Sequence, residues 1–399
     1  MSHKRVATAF VSSTLFLCIL AIGGCTADFA GAPEEYYACT PPDIAQDDDH
    51  PRAAEYQAFL DDVVSGGMPG AAIFLRSDDG LVWSGASGKA DMTSGVDMRS
   101  CHLSRGGSIT KTFTAVLVMQ LVEEGVLELD DPISQYLPAT VLDDIGNADV
   151  ATIRQVLSHT SGIPDYTSSS YLLGQFNDPF QLFSLEDNLN SVRGSKPDFA
   201  PGTDWKYSNT NYELAGLLVA EVSGMPYEEF LTEHILEPLK LEQTFINTDG
   251  TTPSGMVRGY LDMRGDGMVY DVTDHTLGIT SPGGAVVSTV YELAHFLEAL
   301  LGGELLSQQA LDEMQKWTVK QIDDEEVLYG LGLQSDETDY GYIVGHAGGM
   351  VGYTATVFHL PDTGATAAVL INGSFGRAHQ ALHDELLPEL PDLLHTAED

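Results

Sequence analysis

Basic side chains are scarce in this sequence. Its 399 residues include 18 lysines and arginines against 59 aspartates and glutamates, which gives a formal net charge of −41 at pH 7. Such a chain repels polyanions, so the composition argues against nucleic acid or an anionic membrane surface as a partner. Charged residues make up only 19% of the chain and hydrophobic residues 43%. This balance, at this length, predicts a globular protein with a large core.

Cysteine is rare as well, with four residues, Cys18, Cys25, Cys39 and Cys101. No cysteine and histidine cluster has the spacing of metal ligands, so no metal site is predicted. Cys18 lies inside an N-terminal apolar segment. Cys39 and Cys101 form an even pair, and a disulfide between them is one interpretation if the chain is exported to an oxidising compartment. Two free buried thiols are the alternative.

The N-terminus has the layout of an export signal. A lysine and an arginine at positions 4 and 5 precede a mostly apolar run over 6–22, which two glycines separate from Cys25. This layout predicts a signal peptide over residues 1–24. Small residues directly before a cysteine resemble the lipobox of bacterial lipoproteins, in which the cysteine is lipidated and becomes the mature N-terminus. An uncleaved anchor is the alternative, but the apolar run is short for a membrane span and carries hydroxyls.

Residues 25–50 are rich in proline and contain an aspartate run at 47–49. We therefore predict a flexible tether there, which would hold the protein to a membrane of the cell envelope only through the lipid on Cys25. The globular part is predicted to begin near Pro51 and to continue to residue 399. Its oligomeric state is not predicted.

Local patterns in residues 51–130 predict a helix, a hairpin and a second helix. Residues 54–64 have helical amphipathicity, and the apolar runs 70–76 and 81–88 are separated by an Asp-Gly turn typical of hairpins. A buried helix is then predicted from about Ser108 to near Gly125. Antiparallel strands followed by a long buried helix favour a mixed α/β domain.

The second of these helices opens on a Ser-x-x-Lys pair, Ser108 and Lys111, after two glycines. Because residues three apart share a helix face, Lys111 is expected beside Ser108. An ammonium whose pKa is lowered by burial can take the proton of the hydroxyl, and the N-terminus of a helix favours developing negative charge. The alternative is that Ser108 only caps the helix.

Residues 131–280 carry many prolines and short helical patches, which predicts a mainly helical insertion. His159 in a Ser-His-Thr-Ser-Gly segment could be a base, but we interpret it as a structural loop histidine. Further on, Tyr207 is a candidate general base if a nearby ammonium lowers its pKa, and the carboxamide of Asn209 can orient a peptide-like group. The alternative is a polar turn in which Asn209 or Asn211 caps the next helix.

Strand patterns return in residues 281–399. Strands are predicted over 328–333, 342–346, 354–360 and 366–371, and helices over 290–301, 308–317 and 378–393. Between two of the strands, His346 is followed by Gly348 and Gly349. These glycines would let the strand backbone lie against a ligand, and the His346 imidazole could stabilise charge or relay a proton. A glycine-rich bulge is the alternative.

Taken together, the Ser-x-x-Lys, Tyr-x-Asn and His-x-Gly elements occur in an order that resembles the serine β-lactamase-like family. This family holds class C β-lactamases, esterases and D-amino-acid peptidases, and the chain most resembles its secreted D-alanyl-D-alanine carboxypeptidase branch. Segments such as 121–125, 154–159, 207–211, 314–318 and 329–333 carry the likeness.

The resemblance implies an α/β fold of the α+β type. An antiparallel sheet flanked by helices would come from residues 51–130 and 281–399, and the helical domain would be inserted as residues 131–280. It implies no metal and no cofactor. The substrate would be a small molecule or a peptidoglycan-like peptide or ester, cleaved in the cell envelope on the periplasmic or extracellular side.

The resemblance also implies roles at the site. Ser108 would attack a carbonyl and become acylated, while Lys111 and Tyr207 share the proton transfers, and which of the two is the base stays open. Asn209 would hold the substrate amide, and His346 stands where relatives have lysine or histidine. The backbone N–H groups of Ser108 and Gly349 would form the oxyanion hole.

One departure limits the carboxypeptidase assignment. That branch uses hydroxyls beside the His-x-Gly strand and a nearby arginine to hold a terminal carboxylate, whereas this chain has Ala347 and Gly349 there and Gln334, Ser335 and Asp336 after Leu333. Losing these donors weakens recognition of a C-terminal acid. Esterase, amidase or D-aminopeptidase activity, or a non-catalytic penicillin- or peptidoglycan-sensing lipoprotein, are therefore the alternatives.

Overall fold

The computed structural model describes residues 34–40, 50–167, 178–247, 251–262, 268–276, 281–322, 325–374 and 387–395. The predicted signal peptide, Cys25 and most of the predicted tether lie outside these residues. Within the described ranges, no helix combines the length and the apolar character needed to cross a bilayer.

The described α-helices, α1 to α11, are Ala53–Ser65, Thr110–Glu123, Ala139–Leu142, Ile153–Leu157, Leu185–Asn190, Asn209–Ser223, Tyr227–Leu231, Glu237–Leu239, Val290–Leu301, Gln308–Met314 and Leu387–Leu394. Strands β1 to β15 are Gly70–Arg76, Val82–Asp91, Val96–Asp97, Ser104–Arg105, Phe245–Ile246, Tyr260–Leu261, Tyr270–Asp271, Val286–Ser288, Thr318–Ile322, Glu325–Tyr329, Gln334–Thr338, Gly341–Met350, Tyr353–Leu360, Ala365–Ile371 and Gly373–Ser374. A short 3₁₀ turn, Gly107–Ile109, precedes α2, and a π turn, Thr232–Leu236, joins α7 to α8.

In the described part of the chain, nine strands form one antiparallel sheet in the order β3-β2-β1-β14-β13-β12-β11-β10-β9. The two ends of the chain meet at its centre, where β1 pairs with β14, and Ala71 lies opposite Ile371. Helices cover both faces of the sheet, and the residues between β4 and β8 supply most of the remaining helices. The predicted fold class, an antiparallel sheet flanked by helices, is confirmed.

The central strand β1 is buried on both faces, which explains its unbroken apolar sequence. Ile73 and Leu75 point into a core cluster with Tyr56 and Leu60 of α1. Phe74 points to the other side, where its ring lies 5.9 Å from that of Tyr291 on α9. Each such side chain, when fully buried, stabilises the fold by about 1.5–3 kcal/mol.

Helix α2 lies at the centre of the larger core. Residues 110–119 are all buried, as is typical of a helix that is apolar on every side. The Phe113 ring stacks on Phe296 of α9 with centroids 3.6 Å apart. The helix begins two residues after the predicted start, because Ser108 lies in the preceding 3₁₀ turn, and it ends as predicted just before Gly125.

Several predicted elements differ from the structure at the far edge of the sheet. The single strand predicted over 328–333 is wrong: β10 ends at Tyr329, and β11 begins at Gln334. Between them Gly332 adopts φ +70°, and a Cβ there would lie 2.5 Å from the Cβ of Ala115 on α2. The chain therefore turns at this close contact with α2. The polar strands β9 and β11 were not predicted, because they lack the apolar runs that mark the buried strands.

Three further predictions concern the C-terminal half. The predicted helix over 308–317 ends earlier, at Met314. Of the helix predicted over 378–393, residues 378–386 lie outside the described range, and Leu387–Leu394 is helical. The glycine-rich bulge is wrong as an alternative, because β12 runs through the glycines with continuous register from Val344 opposite His359 to Met350 opposite Tyr353.

The N-terminal segment 34–40 is joined covalently to the rest of the domain. A disulfide links Cys39 to Cys101, seven residues before Ser108 in the sequence. The Tyr37 side chain is buried and donates a hydrogen bond to Asp91 Oδ2 at 3.0 Å, while its carbonyl oxygen lies 3.0 Å from His102 Nε2. This segment therefore belongs to the folded domain rather than to a free tether.

Strand β12 and the 3₁₀ turn meet through their backbones. A Cβ added to Gly348 would lie 1.9 Å from the Gly106 carbonyl oxygen and 2.8 Å from Ser108 N. On the other side of the contact, Gly107 has φ +53°, and a Cβ there would lie 2.9 Å from Gly349 N. Only glycine allows this approach at either position.

We predict that Gly348→Ala destabilises the protein by about 2–3 kcal/mol, because the added methyl must push β12 away from the turn. Urea unfolding would measure the change. Gly349→Ala is the matched control, since its Cβ would meet no atom within 4 Å and its unfolding midpoint should match that of the wild type. Equal midpoints for all three proteins would contradict the close contact.

Candidate active site

The 3₁₀ turn Gly107–Ile109 sets Ser108 in front of helix α2, and its side chain is half-buried. Helix α2 has no side-chain cap, and its N-cap residue is Ile109. The alternative in which Ser108 serves only as the cap is therefore wrong. The Lys111 Nζ lies 3.1 Å from Ser108 Oγ, so the predicted Ser-x-x-Lys pair is in direct contact.

Lys111 is completely buried, and its ammonium is surrounded by acceptors. Besides Ser108, Nζ donates to Asn209 Oδ1 at 2.9 Å and to the Gly283 carbonyl oxygen at 2.7 Å. Burial disfavours the charged form and lowers the pKa of Lys111 to about 7, although the carboxyls of Asp165 and Glu213 act in the opposite direction. The amine therefore loses its proton near neutral pH.

Tyr207 is a second side chain in contact with Ser108. A hydrogen bond with Ser108 lowers the pKa of the phenol, but burial outweighs it and raises that pKa above its usual value of 10. The ring lies 5.0 Å from Lys111 Nζ and 4.2 Å from the His159 ring. Tyr207 is thus a neutral phenol at physiological pH, placed to donate or accept a proton at the serine.

Asn209 is held by a carboxylate that the sequence did not indicate. Asp165 Oδ1 accepts the Asn209 backbone N–H at 3.0 Å and lies 3.3 Å from Asn209 Nδ2. Since Nδ2 donates to Asp165, the side-chain oxygen of Asn209 is turned toward Lys111. Neither Asn209 nor Asn211 caps helix α6, whose N-cap residue is Ser208 without a side-chain bond. Asp165 satisfies the backbone at that helix start instead.

His159 forms hydrogen bonds with the segment that follows Tyr207. The residue is buried with φ +61°, and its Nδ1 accepts hydrogen bonds from Ser208 N and Asn211 Nδ2, both at 3.2 Å. Burial and the charge of Lys111 hold its pKa well below 6.5. The imidazole is therefore neutral and fastens the loop that carries Tyr207, which agrees with its interpretation as a structural histidine.

His346 is buried in β12, and both of its ring nitrogens have partners. Nδ1 donates to the Ala347 carbonyl oxygen at 2.5 Å, so Nε2 accepts the hydrogen bond from the Tyr329 hydroxyl at 3.0 Å. Burial and the neighbouring charge of Lys111 lower its pKa to about 3. With this low pKa the ring is neutral, and the predicted role in charge stabilisation or proton relay stays a prediction.

The predicted oxyanion hole lies where β12 meets the 3₁₀ turn. The contacts of Gly348 with Ser108 N and of Gly107 with Gly349 N bring the two predicted donor residues, Ser108 and Gly349, to the same junction. Beside them, Ala347 N donates to Gln334 Oε1 at 2.9 Å. The described side chains that are hydrogen-bonded around Ser108 and Asn209 include one amine and one carboxylate. The protonated form of Lys111 carries a positive charge, and Asp165 carries a negative charge beside Asn209.

Solved structures with a similar fold include two hydrolases that are named for D-configured substrates. A D-stereospecific amidohydrolase from Streptomyces sp. is 33% identical, with a TM-score of 0.73 over 84% of this chain and 98% of that one. A D-amino acid amidase from Ochrobactrum anthropi SV3, complexed with D-phenylalanine, is 27% identical, with a TM-score of 0.75 over 86% of this chain and 98% of that one.

Curated relatives are more distant and longer. Protein flp from Staphylococcus aureus (strain MW2) is 26% identical over 340 residues, which cover 84% of this chain and 64% of that protein. Penicillin-binding protein 4* from Bacillus subtilis (strain 168) is 28% identical over 314 residues, which cover 73% of this chain and 65% of that protein. The chain thus spans less than two thirds of the length of either relative.

The family model described as Beta-lactamase matches residues 50–388. This range contains Ser108, Lys111, Tyr207 and Asn209, and it includes all of the sheet. With the fold and these contacts, the match shows that the chain belongs to the beta-lactamase family, whose members are serine hydrolases of the β-lactamase/transpeptidase-like fold.

Proposed function

We propose that this protein cleaves amide or ester bonds through an acyl-enzyme on Ser108, with Lys111 as the general base. The observation that carries the proposal is the contact of 3.1 Å between Lys111 Nζ and Ser108 Oγ, made by a fully buried amine whose pKa is about 7. A base with a pKa near the working pH is the most effective one for such a step.

The surroundings of Lys111 favour its neutral form as the base. A neutral amine has two N–H donors and one lone pair. Asn209 Oδ1 and the Gly283 carbonyl oxygen are obligatory acceptors and take the two donors, so the lone pair is left facing Ser108 Oγ. The raised pKa of Tyr207 excludes a phenolate as the resting base and leaves this residue as a proton donor.

The reaction would then run in two halves. Lys111 takes the Ser108 proton as Oγ bonds to the substrate carbonyl carbon, and the carbonyl electrons move to the oxygen held by the N–H groups of Ser108 and Gly349. When the oxyanion collapses, the bond to the leaving amine or alcohol breaks, and this group receives a proton through Tyr207. Water then attacks the acyl-enzyme and releases the acid, which restores Ser108.

We further propose that the substrate lacks a free carboxylate at the scissile end and that D-amino-acid amides are the preferred class. Ala347 and Gly349 offer no hydroxyl to hold a carboxylate. Asp165 adds negative charge beside Asn209, and the chain as a whole has a formal charge of −41. A substrate with an uncharged amide at the scissile end and a free ammonium suits this negative electrostatic field better than a substrate with a C-terminal carboxylate. The similarity to a D-stereospecific amidohydrolase and to a D-amino acid amidase supports the same class.

The second candidate is a D-alanyl-D-alanine carboxypeptidase or a β-lactamase-related activity. The similarity to penicillin-binding protein 4* and the histidine at position 346 favour it. A non-catalytic sensing role is a third candidate, but it gives no reason for keeping Ser108, Lys111 and Tyr207 in contact.

We predict that the domain from residue 34 hydrolyses D-phenylalanine amide faster than its L-isomer and also cleaves a short-chain p-nitrophenyl ester. Ser108→Ala should lower both rates by about 10⁴-fold or more, because the nucleophile is lost. Product release measured by chromatography, together with the intact mass of the acylated protein, would test this.

The same samples would separate the other candidates. A stable adduct with fluorescent penicillin, lost in Ser108→Ala and accompanied by release of D-alanine from a D-Ala-D-Ala peptide, would favour the carboxypeptidase over the amidase. Absence of every adduct and of all turnover in the wild type would support the sensing role and reject hydrolysis.

We predict that kcat/KM for the p-nitrophenyl ester rises with pH and levels off above a midpoint near 7. Lys111 must be neutral to accept the proton, so lowering the pH through its pKa removes the base about tenfold per unit. Lys111→Met should abolish the activity at every pH between 5 and 9, with the fold checked by circular dichroism. A wild-type rate that keeps rising until about pH 10 would mean that the lysine has an unperturbed pKa.

We also propose that the chain is exported and lipidated at Cys25, which would place the hydrolase in the cell envelope. Expression of the full chain in a bacterium fed radiolabelled palmitate should give a labelled protein in the membrane fraction. Cys25→Ser should lose both the label and the membrane association. Label that persists in Cys25→Ser would place the modification elsewhere, and an unlabelled wild type would reject the lipoprotein proposal.

A further inference from the structure

A second buried carboxyl group lies behind Lys111, and none of the steps above uses it. Glu213 stands on α6 four residues after Asn209, so the two side chains lie on one face of the helix. Glu213 is fully buried. Its Oε1 accepts a hydrogen bond from Asn188 Nδ2 at 2.9 Å, and the side chains of Ser281 and Tyr166 also favour its ionised form.

A short bridge connects this carboxyl group to the ammonium. The Gly283 carbonyl oxygen accepts from Lys111 at 2.7 Å, while Gly283 N donates to Ser281 Oγ at 3.0 Å. A Cβ at Gly283 would lie 3.2 Å from Lys111 Nζ and 3.3 Å from Ser281 Oγ. Lys111, Gly283, Ser281 and Glu213 therefore form one contiguous buried group.

The charges in this group are coupled. Burial raises the pKa of Glu213 to about 7, and the Lys111 charge opposes that rise, while the Glu213 charge in turn favours the protonated form of Lys111. A buried charge is costly unless an opposite charge lies nearby, so the two ionised forms stabilise each other.

Lys111 has further titratable neighbours besides Glu213. Asp165 is the other acid that acts on it. The other ionisable side chains around the lysine are uncharged near pH 7, and they are His159, His346, Tyr207 and Tyr212. Unlike Glu213, Asp165 also holds Asn209 at the start of α6, so its removal would disturb the site geometry as well as the charge.

We propose that Glu213 is a positioning residue for the reaction, which holds a counter-charge behind Lys111 and thereby sets the pH at which Lys111 becomes a base. The proposal rests on the role of Lys111 proposed above. Glu213 touches neither the serine nor a substrate in this scheme, and it acts only through the lysine. Removing its charge should make the amine lose its proton at lower pH.

The experiment follows the rate at which a fluorophosphonate probe labels Ser108 between pH 5 and 9, read by intact mass. Glu213→Gln should move the midpoint of the rise in rate to lower pH by about one unit, since the buried anion that favours the protonated form of Lys111 has been removed. Glu221→Gln is the matched control: it lies on the same helix, is exposed, and should keep the wild-type midpoint.

A second variant guards against misfolding of the first. Asn188→Ala removes a donor that stabilises the Glu213 anion, so it should shift the midpoint in the same direction by a smaller amount. A merely structural role for Glu213 would lower the plateau rate and leave the midpoint in place. Wild-type midpoints in Glu213→Gln, or in Asn188→Ala if the first variant does not fold, would overturn the proposal. A wild type that is not labelled at all would instead reject the function of Ser108 itself.

Discussion

The active site depends on one physical requirement, the burial of the Lys111 ammonium without a direct ion pair. The side chain is fully enclosed, and its three hydrogen-bond partners are a hydroxyl, an amide oxygen and a backbone carbonyl oxygen. Neutral acceptors satisfy the N–H groups but do not repay the loss of hydration of a full charge. The protein therefore holds an amine that gives up its proton near neutral pH, and in the proposed reaction this amine accepts the proton of the adjacent hydroxyl.

The fold has to bring distant segments together to enclose this amine. Ser108 and Lys111 belong to the 3₁₀ turn and α2, Asn209 begins α6, and Gly283 precedes β8. The glycines of β12 close the opposite side by direct backbone contact with the 3₁₀ turn. Because α2 is packed on every side, small movements of any of these segments would change the hydrogen bonds of Lys111. The site is thus a property of the assembled core rather than of one loop.

The sequence predicted the parts of the site that depend on local spacing. The Ser108 and Lys111 contact follows from helical periodicity, and the central strands of the sheet follow from their apolar runs. Asp165 was missed because it reaches Asn209 across 44 positions of sequence, a pairing that no local pattern encodes. Glu213 carried a signal, a carboxyl four residues after Asn209, whereas the neutral state of His346 depends on its burial and on the nearby Lys111 charge, which no local pattern encodes. The edge strands β9 and β11 were missed because polar strands resemble loops.

The disulfide between Cys39 and Cys101 has a mechanical consequence. A force that pulls on the N-terminal end of the chain passes through residue 39 and across the sulfur bridge into the body of the domain at residue 101. The residues between the two cysteines, which are 62 positions apart, include α1 and the central strand β1, and they are therefore shielded from tension while the bridge is intact. Under load the domain would resist peeling from its N-terminal end, and β1 would keep its place beside β14.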